Sequence, residues 1–465
     1  MKTINKITGF LLIALFAVIS ACSPKITTVR NDKGVFPITV DSMVKVKEVE
    51  HPPLVDEYYQ QDYLRNEDFV YDTNIHTVLL YKTGFILSQP IIKLNSDETL
   101  DFSFDDFDTD VKRYKYTFLQ CDARWQPSML QQMQYIDGFM DDYIDEYKAS
   151  FNTIQKYEHY SMTFPKQTVK ITKSGNYILK VYVEGKEQQP VITRRFMVLE
   201  QKLDIKGKIR DATMLQDRKY KQEVDFTLLA GDYQITNPSQ NLTVILYQNG
   251  RQDNAIRNLK PHLVKGSEFI YDYQEENVFN GGNEFRNFDI KSLRYNSERI
   301  YRFGFDNHYD HVYLLPDFPR PFKFYKNEED IDGKKAIHAD DVKDIDIESD
   351  YAMVHFTMPY EAPLTDGNIY IMGALTDWQF TKEAQLKYNY QDHNYETTLL
   401  LKQGYYNYQY MFLKNGEKIG DETFIEGNHS EAENDYFIFV YNRESGELYD
   451  KLIGYQQFNS IANRQ

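Results

Sequence analysis

From residue 75 to residue 444 the chain keeps returning to one pattern, apolar and polar residues alternating with a period of two. That period sends successive side chains to opposite faces of a strand, and it cannot build the one-sided stripe of a helix. The first runs are "IHTVLLYKTG" (75–84), "ILSQPIIKL" (86–94), "LDFSFDDFD" (100–108) and "YKYTFLQCD" (114–122). In the last of these, Tyr114, Tyr116, Phe118 and Gln120 share one face, and Lys115, Thr117, Leu119 and Cys121 the other. "VKITKSGNYILKVYVEG" (169–185) and "ITRRFMVLE" (192–200) follow, then a second set over 222–251 and a third over 351–444. Aromatic residues make up 15% of the chain and 38 of them are tyrosines, a bias that suits strands. Helical patterns are nearly absent after the leader, so the predicted fold class is all-β.

The spacing of these runs predicts three stacked sandwiches, tandem domains of immunoglobulin-like or early-set type. The expected units are 61–200, 201–325 and 349–460, the last two separated by a charged linker, 326–348, "KNEEDIDGKKAIHADDVKDIDIE". Asn249-Gly250 is a hairpin turn signal. Ser174-Gly175-Asn176-Tyr177 resembles the tyrosine corner of β-sandwiches. One segment, 126–165, breaks the alternation. Phe139, Tyr143 and Tyr147 are four apart there and would share a helical face, although Gly138 argues against an unbroken helix. The expectation is a long insertion with a short helical turn. Its aromatics, Tyr135, Phe139, Tyr143 and Tyr147, are candidate partner-binding residues; the competing reading folds them back over the first sandwich.

The N-terminus follows the plan of a bacterial export signal: Lys2 and Lys6, an apolar run from Phe10 to Ile19, then small residues. Ile19-Ser20-Ala21-Cys22 resembles the lipobox of bacterial lipoproteins, which implies cleavage after residue 21 and a lipid on Cys22. The apolar run is too short to span a bilayer, and no later stretch reaches spanning length. Residues 22–60 are polar and irregular and read as a tether. The leader carries two lysines and no acids, so its removal makes a net charge of −17 more negative still. That balance excludes nucleic acid, which needs a basic footprint. One further cysteine leaves no intrachain disulfide in an exported chain, so hydrophobic cores must hold the fold.

The chemistry-bearing motifs are missing. There is no H-E-x-x-H, Cys-x-x-Cys, phosphate-binding glycine loop or G-x-S-x-G. His76, His159 and His393 are isolated. Asp105, Asp106, Asp108 and Asp110 are spaced closely enough for calcium but lack the glycine turn and final glutamate of that loop, and they read as a solvated loop. Cys121 in "QCDARW" lies at a strand end beside Leu119, with no histidine nearby in sequence. It reads as a small buried residue with Trp125 packed near it, not as a nucleophile. No catalytic residue, metal, cofactor or small-molecule substrate is expected.

The stretch "LSQPIIKLNSDETLDFSFDDFD…YKYTFLQCDARWQPSMLQQMQYIDGFMDDYIDEYKASFNT…SGNYILKVYVEG…VITRRFMVLE", continued by "FNGGNEFRNFDIKSLRYNSERI" and "EAENDYFIFVYNRESGELYDKLIGY", resembles the plug protein family of the Bacteroidota type IX secretion system. The resemblance implies a non-enzymatic periplasmic protein that binds the outer-membrane translocon β-barrel and closes its pore. With Cys22 lipidated, it would be anchored to the outer membrane. "NIYIMGALTDWQF" followed by "LKQGYYNYQY" resembles the glycogen-binding early-set domain found beside starch-active enzymes, where a tryptophan stacks on sugar; Trp378 stands at that place. The alternative it raises is a glycan-binding lipoprotein of a polysaccharide-uptake system. A hydrolase is a distant third.

Overall fold

The computed structural model describes residues 63–464 apart from Thr109 and Asp341. The expected leader, Cys22 and the tether lie outside the described residues. Among those described, thirty strands pair into sheets and the α-helices are four residues long. Among the described residues no helix is long and apolar enough to cross a membrane.

In the first sandwich one sheet runs in the order Phe69–Val70, Pro190–Leu199, Gly175–Val183, Tyr114–Cys121, Asp141–Tyr143, with Ile91–Lys93 parallel to Pro190–Leu199. The facing sheet is Ile75–Lys82, Leu100–Asp106, Glu158–Phe164, Glu146–Ala149. The alternation in "YKYTFLQC" is realised as read. Tyr114, Tyr116 and Phe118 enter the core against Phe102, Phe104, Tyr160 and Phe164. Leu119 and Cys121 point to the opposite face. The tyrosine corner forms as well: the Tyr177 hydroxyl donates to the Lys173 carbonyl at 2.8 Å.

That opposite face is also covered. Cys121, Trp125, Ile178, Met197 and Leu199 pack against Ile245, Tyr247, Phe437, Phe439, Tyr441 and Leu452 of the next sandwich. A sheet buried on both faces needs nearly continuous apolar strands. This is why "NYILKV" and "DYFIFVYN" lose the alternation seen elsewhere. Full burial of a large apolar side chain is worth about 1.5–3 kcal/mol. The two sandwiches are welded rather than strung.

The chain does not divide at the expected second boundary. The middle core is built from Leu203 to Phe279 and then from Tyr436, Ile438, Val440, Ile453 and Phe458. Leu242–Gln248 pairs antiparallel with Asp435–Asn442, which pairs with Lys451–Asn459. The third core spans Phe288 to Ile425 and includes Ile300, Val312 and Leu314, expected in the second unit. The third sandwich is thus inserted between strands of the middle one. Residues 326–348 are not a linker either: Lys335–Ile337 pairs with Gly404–Tyr406, and Ile345–Glu348 is a helical turn capped by the Asp344 side chain. A long insertion adds little to the cost of closing a pair, since doubling a loop costs only about 0.6 kcal/mol.

Candidate functional site

The segment 126–165 is neither helix nor free loop. After the single turn Gln132–Gln134 come three short strands, the last two on the edges of the first sandwich's sheets. Ile136–Gly138 pairs with Val169–Ile171, Asp141–Tyr143 with Lys115–Thr117, and Glu146–Ala149 with the strand Glu158–Phe164. Phe139, Tyr143 and Tyr147 therefore do not share a helical face. Tyr135 drops into the core, 4% exposed, its hydroxyl donating to the Phe118 carbonyl, so it is not available to a partner. Tyr143 is half-buried; Arg113 stands 4.6 Å above its ring and its hydroxyl donates to Glu184. Phe139, Tyr147 and Phe151 are exposed on backbone that strand pairing and a Phe151 amide to Ile347 carbonyl bond hold in place.

"QCDARW" mortars the seam between the first two sandwiches. Cys121 is buried, and burial pushes its thiol up to about 12 despite Arg195 nearby, which removes the thiolate a nucleophile needs. Trp125 is buried too, with the Arg195 guanidinium 4.5 Å from its ring. The Ala123 amide donates to Asp450 at 2.7 Å, and Arg124 reaches Asn258 at 2.8 Å. Asn176 donates to the Asp122 carbonyl and accepts from the Tyr441 hydroxyl, 2.8 Å away.

A second polar seam joins the first and inserted sandwiches, built from residues far apart in sequence. Asp105 and Asp106 end a strand and are fully buried; only Asp108 and Asp110 face solvent. Asp105 takes His159 Nδ1 at 2.6 Å, Lys402 Nζ at 2.7 Å and the Tyr351 hydroxyl at 2.6 Å. His159 is therefore paired, not isolated. Lys402 also donates to the Asp346 carbonyl and lies 4.3 Å from the Tyr157 ring. Beside this cluster is a cavity of about 160 Å³ lined by His76, Arg194, Lys335, Asp377 and Lys402. Elsewhere, Glu223, Asp225 and Asp272 stand close enough to share a metal ion. Arg210 already supplies the cation there, with Nε 2.9 Å from Asp225 and its terminal nitrogen bonded to Glu223.

Trp378 is half-buried in a corner and its ring is engaged by the chain itself. It meets Phe285 edge-on at 5.9 Å and covers Gly250 and Gly333 so closely that a Cβ on either would lie 2.2 Å or 2.5 Å from it. It packs between the middle and inserted sandwiches.

The loop around "PRPFKFY" lies at the end of the expected second unit and carries no motif that marks it as functional. Phe322 and Phe324 stand free on it. The signal available was phenylalanine interleaved with proline, where no strand partner could bury it.

The fold and its junctions define a class: an all-β scaffold of welded sandwiches whose buried charges are taken up by internal pairing. Residues 75–200 match the family model of the type 9 secretion system plug protein 1st domain. A solved structure of a hypothetical protein from Parabacteroides merdae is 33% identical, with TM-score 0.82, covering 84% of this chain and 99% of that one. The chain belongs to the type 9 secretion system plug protein family. Two further structures align at a TM-score of 0.16, too low to inform the fold. One is a Pseudomonas fluorescens alkylpurine DNA glycosylase (12% identity, 27% of this chain and 30% of that one). The other is an Escherichia coli alpha-2-macroglobulin (8%, 83% and 29%). No curated protein matches. The family is a secretion-system plug family rather than an enzyme family, which puts the chain in the cell envelope among secretion components.

Proposed function

We propose that this chain is the gating subunit of its secretion system, bound to the periplasmic end of the outer-membrane translocon barrel and closing its pore when no substrate is present. The match of residues 75–200 to the plug domain carries this reading. A closure needs a body that does not deform, and the double-faced sheet and the Asp105–Lys402 seam supply one. The lipid on Cys22 would hold that body at the outer membrane, in the periplasm, with residues 22–60 as tether. The barrel-facing surface is assigned to Phe139, Tyr147 and Phe151, with Tyr143 as a pinned neighbour. Aromatics on fixed backbone anchor interfaces, and truncating a central one costs about 2 kcal/mol or more of binding. The test pairs folding with capture. The triple variant Phe139→Ala, Tyr147→Ala, Phe151→Ala should keep its melting temperature and lose co-purification of a giant barrel from solubilised outer membranes. Undiminished capture by a stable variant moves the seal elsewhere; capture of polysaccharide-uptake proteins alone by the unaltered chain overturns the function.

A further inference from the structure

The cavity of about 160 Å³ at the junction of the first and inserted sandwiches has room for far more than one water molecule. Arg194 enters it from the strand Pro190–Leu199 and Lys335 from Lys335–Ile337, so both sandwiches build its wall. The charges there do not balance. Arg194 binds Asp377 at 2.7 Å, and the same Asp377, 3.8 Å from the Lys335 ammonium, is the only ion partner of Lys335 among the described residues. That distance is too long for a hydrogen bond. An ammonium on a side chain only 14% exposed therefore donates to no protein acceptor among the described residues. The other carboxylate beside Arg194 is Asp68, which Arg195 shares. Three cations thus meet two carboxylates. The rest of the lining carries its own counter-ions: Lys402 binds Asp105 at 2.7 Å, and His76 has Asp105, Asp106 and Asp72 near it. The uncompensated charge is therefore at Lys335. The backbone of the wall is strained as well. Thr77 is β-branched yet held at φ +46°, where the register with the neighbouring strand breaks between His76 and Leu79. Strain of this kind clusters at ligand clamps.

We infer that this cavity is a binding site for a small oxyanion of the kind of inorganic phosphate, held between Arg194 and Lys335. An unpaired buried cation is costly, and an ammonium without acceptors forfeits its hydrogen bonds too. Water would accept those bonds and leave the charge; an oxyanion answers both. Guanidinium and ammonium donors are the groups that hold phosphate oxygens. Burial, and then Arg194, push the Lys335 ammonium below its ordinary range against the pull of Asp377, and an anion beside it offsets that push. Arg194 belongs to the first sandwich and Lys335 to the inserted one, so the bound anion ties the joint and its binding is read as stability. This site stands independently of the gating reading.

The purified chain is melted in phosphate-free buffer and in rising inorganic phosphate, with ionic strength held constant by chloride, and the same titration is followed by calorimetry. The parent should gain melting temperature along a saturating curve. Lys335→Met should weaken phosphate binding by about tenfold or more, the scale of one lost hydrogen bond to a charged group. In phosphate-free buffer that variant should melt no lower than the parent, because it no longer buries an unpaired charge. Phosphate also stabilises proteins by exclusion from their surface, an effect that parent and variant would share. An equal response in the two therefore overturns the proposal, and so does the absence of saturable binding to the parent. A lower melting temperature for Lys335→Met without phosphate would mean that the chain itself compensates the charge, and overturns it too.

Discussion

Asp105 depends on neighbours that arrive from a different sandwich. Burial pushes its carboxyl up, but Lys402 and His159 outweigh burial and hold it below the usual carboxylate range. Breaking a buried pair by deleting one partner typically costs about 3–5 kcal/mol, because the other charge is left uncompensated. Lys402→Met should therefore lower stability by about that much in urea unfolding, and adding Asp105→Asn to it should recover most of the loss. The pH dependence has a definite sign. A carboxyl depressed in the folded state contributes stability that is present above its unfolded value, near 3.8, and lost as pH falls through the folded value. Acid should thus destabilise the parent chain more than the Asp105→Asn variant, read as melting temperature from neutral to acid pH.

At the scale of the element, the hairpin after Leu242–Gln248 meets the Trp378 corner through a glycine. Gly250→Ala would place a Cβ 2.2 Å from the indole nitrogen. Overpacking of this kind costs about 1–3 kcal/mol. The expected result is a lowered melting temperature and an altered tryptophan emission, since the indole must leave its place against Phe285 and Gly333; unchanged emission would mean that the corner yields without moving it. The same elements show what could be read in advance. The faces of Tyr114–Cys121 were legible, because period two fixes which side chains share a side. Neighbours were not, because the alternation of "NLTVILYQ" carries no mark of its partner Asp435–Asn442. Phe139, Tyr143 and Tyr147 misled for a related reason: spacing by four suits a helix, but it also arises when short edge strands follow one another across turns. Tyr135 could not be told from its exposed neighbours, since burial of an aromatic in an insertion is decided by tertiary contact. The charges of 326–348 read as a linker because the partners of Asp344, Lys334 and Lys335, which are Lys148, Asp435 and Asp377, lie far away in sequence.

For the molecule as a whole, interleaving changes what counts as a unit. Residues 349–460 lack the strands Arg286–Asp289, Ile300–Phe305 and Asp310–Leu314 of the inserted core and carry two strands of another. Expressed alone, that fragment should give no cooperative thermal transition by circular dichroism, whereas 281–431 should melt as a unit. The same interleaving sets a timetable. A chain is made from its N-terminus, so Leu242–Gln248 leaves the ribosome long before Asp435–Asn442 exists to pair with it. At about 5–20 residues per second the wait is on the order of ten seconds or more. Through that interval an apolar strand stands with an unpaired edge, which is the kind of template that recruits other chains. The inserted sandwich can close in the meantime; the middle one cannot. Such a protein is completed only when its last strands are, so a nascent chain or a C-terminally clipped one presents a sticky half-sheet to whatever chaperone or protease reaches it first.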